Sequence, residues 1–337
     1  MTRALVARLD NDGDVLLAGP AIRAVAAGAG EVTLLCGPRG AQAAALLPGV
    51  DDVLVRRAEW IDPAAGPVSR ASLERYVDAI AARRVQVAVI LTSFHQSALP
   101  LALLLRQAGV ARIAAISEDF PGTLLDERVP DPGDVHEVQR GLRVAASLGF
   151  ALPPGDDGRL RMRAGPAPPG LPERYVVVHP GASVPARAWA PERNAELVQR
   201  LLAAGRDVVV TGAPDEGELT AAVAAPGAYD LGGATTLAEL AGVLGGADAI
   251  VVGNTGPAHV AAAVGTPVVS LFAPTVPAAR WRPWGVPRQI LHIAVPCAGC
   301  RARECPVPGH PCLGGVAVDA VLEAVERLAP APRAVAA

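Results

Sequence analysis

The sequence predicts an α/β protein made of two doubly wound halves, and three observations predict it. Short apolar strands alternate with helices through residues 3–117, the alternation breaks at 151–173, and it restarts at Tyr175. Strands that are apolar along their whole length belong to parallel sheets covered on both faces. The break, ALPPGDDGRLRMRAGPAPPGLPE, is dense in Pro and Gly and has little periodicity, so it reads as a linker. A length of 337 residues also exceeds the roughly 250–300 at which a single core stops growing. The expected organisation is therefore residues 1–160 as one domain, 161–174 as linker, 175–315 as a second domain, 316–329 as a C-terminal helix and 330–337 as a disordered tail.

In the first half, strands are expected at 3–9, Glu31–Cys36, Asp52–Val55, Val85–Thr92 and Arg112–Ser117. Helices are expected at about Val15–Ala27, Ser72–Arg84 and Ser97–Gln107. Pro20 marks a kink or a first helical turn in the earliest of these helices. In the second half, Tyr175–His179, Asp207–Thr211, Ala249–Val252 and Pro267–Phe272 read as strands. The helices between and after them are Pro191–Ala204, Asp215–Ala224, Leu237–Leu244, Pro257–Val264 and Val318–Leu328.

Composition limits the function. Hydrophobic residues make up 51% of the chain but aromatic residues only 3%, so the cores must be built from Ala, Val and Leu. All 30 basic residues are Arg, and any phosphate-binding cation must therefore be an Arg. A net charge of −3, with both signs spread along the chain, gives no basis for nucleic-acid binding. No run reaches the roughly 18 apolar residues of a membrane helix, so a cytoplasmic protein is expected. Peripheral membrane contact stays open, because membrane acceptors can be reached from the cytosol.

Ligands of open parallel sheets bind at the carboxyl ends of strands, so the strand-to-helix loops carry the candidate chemistry. In Val251–Phe272 a strand ends at Gly253, Asn254 and Thr255 open a helix, Gly256 bares the backbone and Pro257 suits the first turn. Free N–H groups at a helix start bind phosphate, Thr255 can add a hydroxyl, and His259 lies one turn on. An ordinary capped helix is the alternative. In Val176–Pro191 the small-residue loop around Gly181 and Ser183 admits a ligand to the backbone, and Arg187 can neutralise a diphosphate leaving group. Gly212–Glu216 ends another strand in a Gly-Pro turn followed by acid, where Glu216 can accept ribose hydroxyls. Thr235 would flank a base, and Thr236 is the expected cap of the next helix.

The first loop, Leu9–Leu16, holds Asp10, Asp12 and Asp14 and no basic residue of its own. A hydroxyl that attacks a sugar must lose its proton, and Asp14 is the candidate base; helix capping by Asp12 or Asp14 is the alternative. The loop lacks the repeated glycines of a dinucleotide site. Cys36 reads as a core residue. Cys297, Cys300, Cys305 and Cys312 lie within 16 residues of one another. They supply enough thiols for a structural zinc, with an iron–sulfur cluster, free thiols and disulfides as the other readings.

Taken together, these segments resemble the heptosyltransferase family, inverting glycosyltransferases that use ADP-heptose in lipopolysaccharide core assembly. The resemblance rests on Gly13-Asp14, His179-Pro180-Gly181-Ala182-Ser183 with Arg187 and Trp189, Gly212-Ala213-Pro214 with Glu216, and Thr255-Gly256-Pro257-Ala258-His259 followed by Gly265-Thr266-Pro267. Ser97 and the cysteine-rich stretch ending Pro311-Cys312-Leu313 add to it. It implies a GT-B fold, two Rossmann-like domains facing a central cleft, with the donor mainly on the C-terminal half and no metal needed for catalysis. It implies Asp14 as general base and Arg187 on the diphosphate. Gly181, Ser183, Gly212, Thr235, Asn254, Thr255, Gly256 and His259 would surround the ADP-sugar, and Glu216 would hold the ribose. Asp12 and Ser97 would face the acceptor, which could be a glycan, a lipid-linked sugar or a small molecule. Asn254 stands where many members carry Asp, which keeps a hydrogen-bonding group but removes a charge. A nucleotide-sugar epimerase and a non-catalytic nucleotide-sugar-binding protein are the competing functions.

Overall fold

The computed structural model describes residues 2–62, 64–93 and 95–330. The chain divides between Met162 and Arg163 into two compact units.

The first unit contains strands β1 (Arg3–Arg8), β2 (Glu31–Cys36), β3 (Asp52–Val55), β4 (Val87–Leu91), β5 (Arg112–Ile116) and β6 (Glu127–Val129). Its helices are α1 (Asp12–Leu17), α2 (Gly19–Gly28), α3 (Ala41–Leu46), α4 (Arg70–Ala81), α5 (Leu99–Gln107) and α6 (Glu137–Ser147). The strands form one parallel sheet in the order β3-β2-β1-β4-β5-β6. Aliphatic residues fill the central strands: Leu5, Ala7, Leu35, Ala88, Ile90, Ile113 and Ala115 pack beneath α4 and α5 with Tyr76, Ile80, Leu101 and Leu105.

The second unit contains β7 (Val176–His179), β8 (Val208–Gly212), β9 (Tyr229–Gly232), β10 (Ala249–Gly253), β11 (Val268–Leu271) and β12 (Arg288–Leu291). Its helices are α7 (Pro191–Ala203), α8 (Gly217–Val223), α9 (Leu237–Gly246), α10 (Gly256–Val264), α11 (Ala278–Trp281), α12 (Pro311–Gly314) and α13 (Val318–Leu328). Its sheet runs β12-β11-β10-β7-β8-β9, again parallel throughout. Numbered within its own unit, that is the same 3-2-1-4-5-6 order as the first sheet, the doubly wound dinucleotide-fold arrangement. In both units the order reverses between the first and fourth strands. That reversal opens a crevice at their carboxyl ends, where ligands of such sheets bind.

Three expectations change. The single helix expected over Val15–Ala27 is two helices, because the Ala18 N–H bonds back to both Asp14 and Val15 carbonyls and closes α1. Pro20, lacking an N–H, then sits in the first turn of α2. The expected flexible linker is pinned instead. Arg23 grips Asp156 through Nε (2.6 Å) and Nη2 (2.9 Å), and further along the Gly165 N–H donates to the Ala238 carbonyl at 2.8 Å. Finally, β6, β9, β12 and α6 form from segments in which no element is expected. The expected disordered tail, from 331 onward, lies outside the described residues.

Candidate functional site

At the first unit's reversal point, the loops after β1 and β4 come together. Gly37, at the end of β2, lies against the first loop: a Cβ there would sit 2.7 Å from the Leu9 carbonyl oxygen. Asp12 is not a helix cap. Its Oδ1 accepts the Ala43 N–H at 2.9 Å, tying the loop to the first turn of α3. Asn11 occupies the cap position of α1 without a side-chain hydrogen bond. Asp14 is half-buried in the first turn of α1 and lines a small solvent-open hollow with Arg8, Leu17, Thr92, Glu137 and Arg140. Ser97 is exposed, and its hydroxyl accepts the Leu99 N–H at 3.3 Å at the start of α5.

The loop is not free of basic neighbours, as its own composition suggests. Arg8, the last residue of β1, turns its guanidinium onto Asp14, with Nη2 2.9 Å from Oδ1. The same guanidinium meets Asp10 (2.8 Å), Glu137 (3.2 Å) and the Ser93 hydroxyl (3.0 Å). Burial works against the Arg8 charge, but the three carboxylates more than offset it and hold the guanidinium firmly protonated. Asp10 is raised above the ordinary carboxylate range, first by burial and then by the repulsion of Asp14, with Arg8 opposing both. The sequence reading misses Glu137 and Arg140. The signal that marks α6 is the helical spacing of Val138, Gly141, Val144 and Ala145, all buried. Its N-terminus is capped by His136, whose Nδ1 accepts the Val138 N–H.

At the second unit's reversal point, the loops after β7 and β10 are in contact. A Cβ on Gly253 would lie 2.7 Å from the Arg187 carbonyl oxygen, so only glycine lets β10 end against the turn that carries Arg187. Thr255 takes the cap position of α10 without a side-chain hydrogen bond, Pro257 falls in its first turn, and Gly265 closes it with φ 90°. His259 is buried one turn in, and among the described residues its Nδ1 has no hydrogen-bond partner. Burial, with Arg187 adding to it, lowers His259 to about 4, so the ring is neutral at pH 7 and one nitrogen can donate. Asn254 is buried and holds both backbone groups of Ala273: Oδ1 accepts its N–H (3.1 Å) and Nδ2 donates to its carbonyl (3.3 Å). Its amide therefore locks the end of β10 to the residues after β11.

Beside these loops, Glu216 follows β8 in a short 3-10 turn, and its Oε2 accepts the Ala213 N–H at 2.8 Å. The carboxylate occupies the space that a side chain at Gly181 would need, and it lies against Gly212 as well. Gly181, Gly212 and Glu216 thus form one cluster. His179, part of the loop that carries the resemblance but without a role there, completes it: Nδ1 is 3.0 Å from the Thr211 hydroxyl and Nε2 is 3.9 Å from Glu216. Burial lowers His179 to about 4, so the contact with Glu216 is not an ion pair at neutral pH. Ser183 is exposed on the same loop. Thr235 is half-buried next to Thr236, the expected cap of α9, which the structure shows in a capping box with Glu239.

Burial, and then the nearby Cys305, Cys297 and Cys300, raise the Cys312 thiol, so the four late cysteines share one neighbourhood. Among the described residues, no three of His, Cys, Asp and Glu converge to hold a metal ion. Cys312 is buried in the core under α13, whereas Cys297 and Cys300 are exposed, and all four are free thiols. Among the described residues, no helix is long and apolar enough to cross a membrane.

Two Rossmann-like units of identical strand order, one presenting a carboxylate and the other an open helix start at the reversal point, define a protein of the GT-B class. The chain belongs to glycosyltransferase family 9 (heptosyltransferase), whose model matches residues 94–310. A lipopolysaccharide heptosyltransferase 3 of Escherichia coli is 31% identical over 162 residues. That match covers 44% of this chain and 47% of the relative, so it spans about half the length of that curated relative. The fold matches a family 9 glycosyl transferase from Veillonella parvula (TM-score 0.79, 18% identity, 97% of each chain). It also matches the E. coli heptosyltransferase WaaC solved with ADP-2-deoxy-2-fluoro heptose (TM-score 0.72, 21% identity, 97% of this chain and 99% of that one).

Proposed function

We propose that the protein is an inverting glycosyltransferase that moves a sugar of the heptose class from an ADP-sugar to an acceptor hydroxyl. The observation that carries this reading is the second reversal point. There the open N-terminus of α10, the buried and unpartnered His259 Nδ1 and the Arg187 turn meet around glycine backbone. Helix N–H groups, a neutral donor and a guanidinium are a set that binds a diphosphate and stabilises it as a leaving group. Thr255 and Gly256 would meet the phosphates. Glu216, with Gly181 and Gly212 beneath it, would accept the ribose hydroxyls, and Thr235 and Ser183 would flank the rest of the donor. The heptosyltransferase solved with an ADP-heptose analogue supports adenine and heptose as the donor's parts.

In the first unit, Asp14 would act as the base. The acceptor O–H gives its proton to the carboxylate as the oxygen attacks the anomeric carbon. The bond from that carbon to the phosphate oxygen breaks with its electron pair, and ADP leaves from Arg187 and the α10 N-terminus. No step runs through a metal. The acceptor would be a glycan, a lipid-linked sugar or a small molecule met on the cytoplasmic side, with peripheral membrane contact as the route to a lipid-linked one. Asp12, which ties the loop to α3, and Ser97 would shape the acceptor's surroundings.

The test is incubation with ADP-heptose and candidate acceptors, read as ADP release and product mass. Transfer that Asp14→Ala abolishes, while donor binding persists, is the expected result. Donor binding without transfer to any acceptor would favour a binding protein, and turnover without acceptor would favour an epimerase.

A further inference from the structure

The first unit holds a buried charge cluster that the transfer reaction above does not yet use. The Arg8 side chain is 4% exposed and is shared by three carboxylates drawn from separate elements. Asp10 comes from the loop after β1, Asp14 from α1 and Glu137 from α6. Asp10 and Glu137 are each held a second time. Gln96 donates to Asp10 Oδ1 at 2.6 Å, and the Ser93 hydroxyl lies between Arg8 and Asp10. Glu137 is paired with Arg140 at 3.3 Å, and Arg140 also meets Asp131. His95 adds a cationic influence on Asp10. Asp12 stands apart, bonded to the Ala43 N–H.

We propose that Arg8 is a positioning residue for Asp14, fixing one carboxylate oxygen so that the other meets the acceptor hydroxyl. The inference rests on the reading of Asp14 as that base. Two features carry it. Arg8 binds Oδ1, and among the described residues none holds Oδ2, while Asp14 lines the hollow that Arg8, Glu137 and Arg140 wall. Arg8 is itself fixed by Asp10, Glu137 and the Ser93 hydroxyl, so its Nη2 is presented to Asp14 in one orientation. Arg8 is shared by three carboxylates. Here the third is Asp14, the member of the cluster that the hollow exposes.

The test compares the pH dependence of kcat in the wild type, Arg8→Met, Arg8→Lys, Asp10→Asn and Asp14→Asn, with thermal unfolding and ADP binding measured on each. Removing the Arg8 charge should move the acidic limb upward by about one pH unit or more and lower kcat at least about tenfold, with ADP affinity unchanged. Arg8→Lys should return most of the limb's position. Asp10→Asn removes a like charge and should move the limb downward by roughly half a unit. Should Arg8→Met fail to fold, Asp10→Asn decides alone. Limbs that stay in place in every folded variant, with kcat following only the folded fraction, overturn the proposal. Transfer retained by Asp14→Asn is a separate failure: it removes the base itself, and the role of Arg8 falls with it.

Discussion

The two reversal points share one strand order and differ in everything placed on it. The first is built from charge: a buried arginine, three carboxylates around it and a hollow at their edge. The second is built mostly from bare backbone, with glycines at 181, 212 and 253, the open start of α10 and two histidines that burial keeps uncharged, beside Arg187 and the single carboxylate of Glu216. Topology decides where a ligand can enter, and the loop residues decide which charge it must carry. A carboxylate cluster suits proton abstraction from a neutral hydroxyl. A helix N-terminus beside one arginine suits an anion that grows more negative as it leaves.

The comparison can be broken most directly at Asp14. If the first unit supplies the base, Asp14→Asn should lower kcat by roughly 10²–10⁴-fold while ADP binding to the second unit is unchanged, checked by steady-state transfer and calorimetry. Weakened ADP binding would show that the division of labour is wrong. The next effect is geometric. Gly253→Ala pushes a methyl against the Arg187 carbonyl, and displacing that turn should cost roughly ten- to a hundredfold in kcat/KM for the donor, with little change in acceptor KM. A smaller effect separates architecture from chemistry. Asn254→Ala strands the buried Ala273 N–H and carbonyl and should lower stability by about 1–3 kcal/mol in denaturant titrations.

The smallest effect lies in the segment expected as a linker. Arg23 holds the Asp156 carboxyl down to about 2 through its hydrogen bonds, below the unfolded value near 3.8. The stabilisation is therefore complete above about pH 4 and is lost as pH falls toward 2, on the order of 2 kcal/mol. Asp156→Asn should flatten that part of the stability–pH curve and leave transfer at neutral pH unchanged.

Much of the second reversal point was readable in one dimension, because its parts lie close along the chain. Asn254 through His259 is a single strand-to-helix turn, and Gly181 to Arg187 is another. The first was only half readable. Asp14 stands out beside Gly13, but Arg8 stands 129 residues from Glu137 and reads as an ordinary polar strand end until α6 folds over β4 and β5. The short edge strands β6, β9 and β12 are partly exposed, so the continuous apolar run that marks the central strands is missing from them.

Local order, then, came from the sequence itself: strand and helix periodicity, the doubled α/β pattern, the glycine and proline turns, the cap at Thr236. These are set by interactions among near neighbours, which spacing records. Charge partnership and side-chain burial were decided only in three dimensions, where Arg8 meets Glu137, His259 loses its water and Asn254 is consumed by a backbone clamp. Coulomb energy and desolvation depend on distance through space, and distance along the chain does not carry that information.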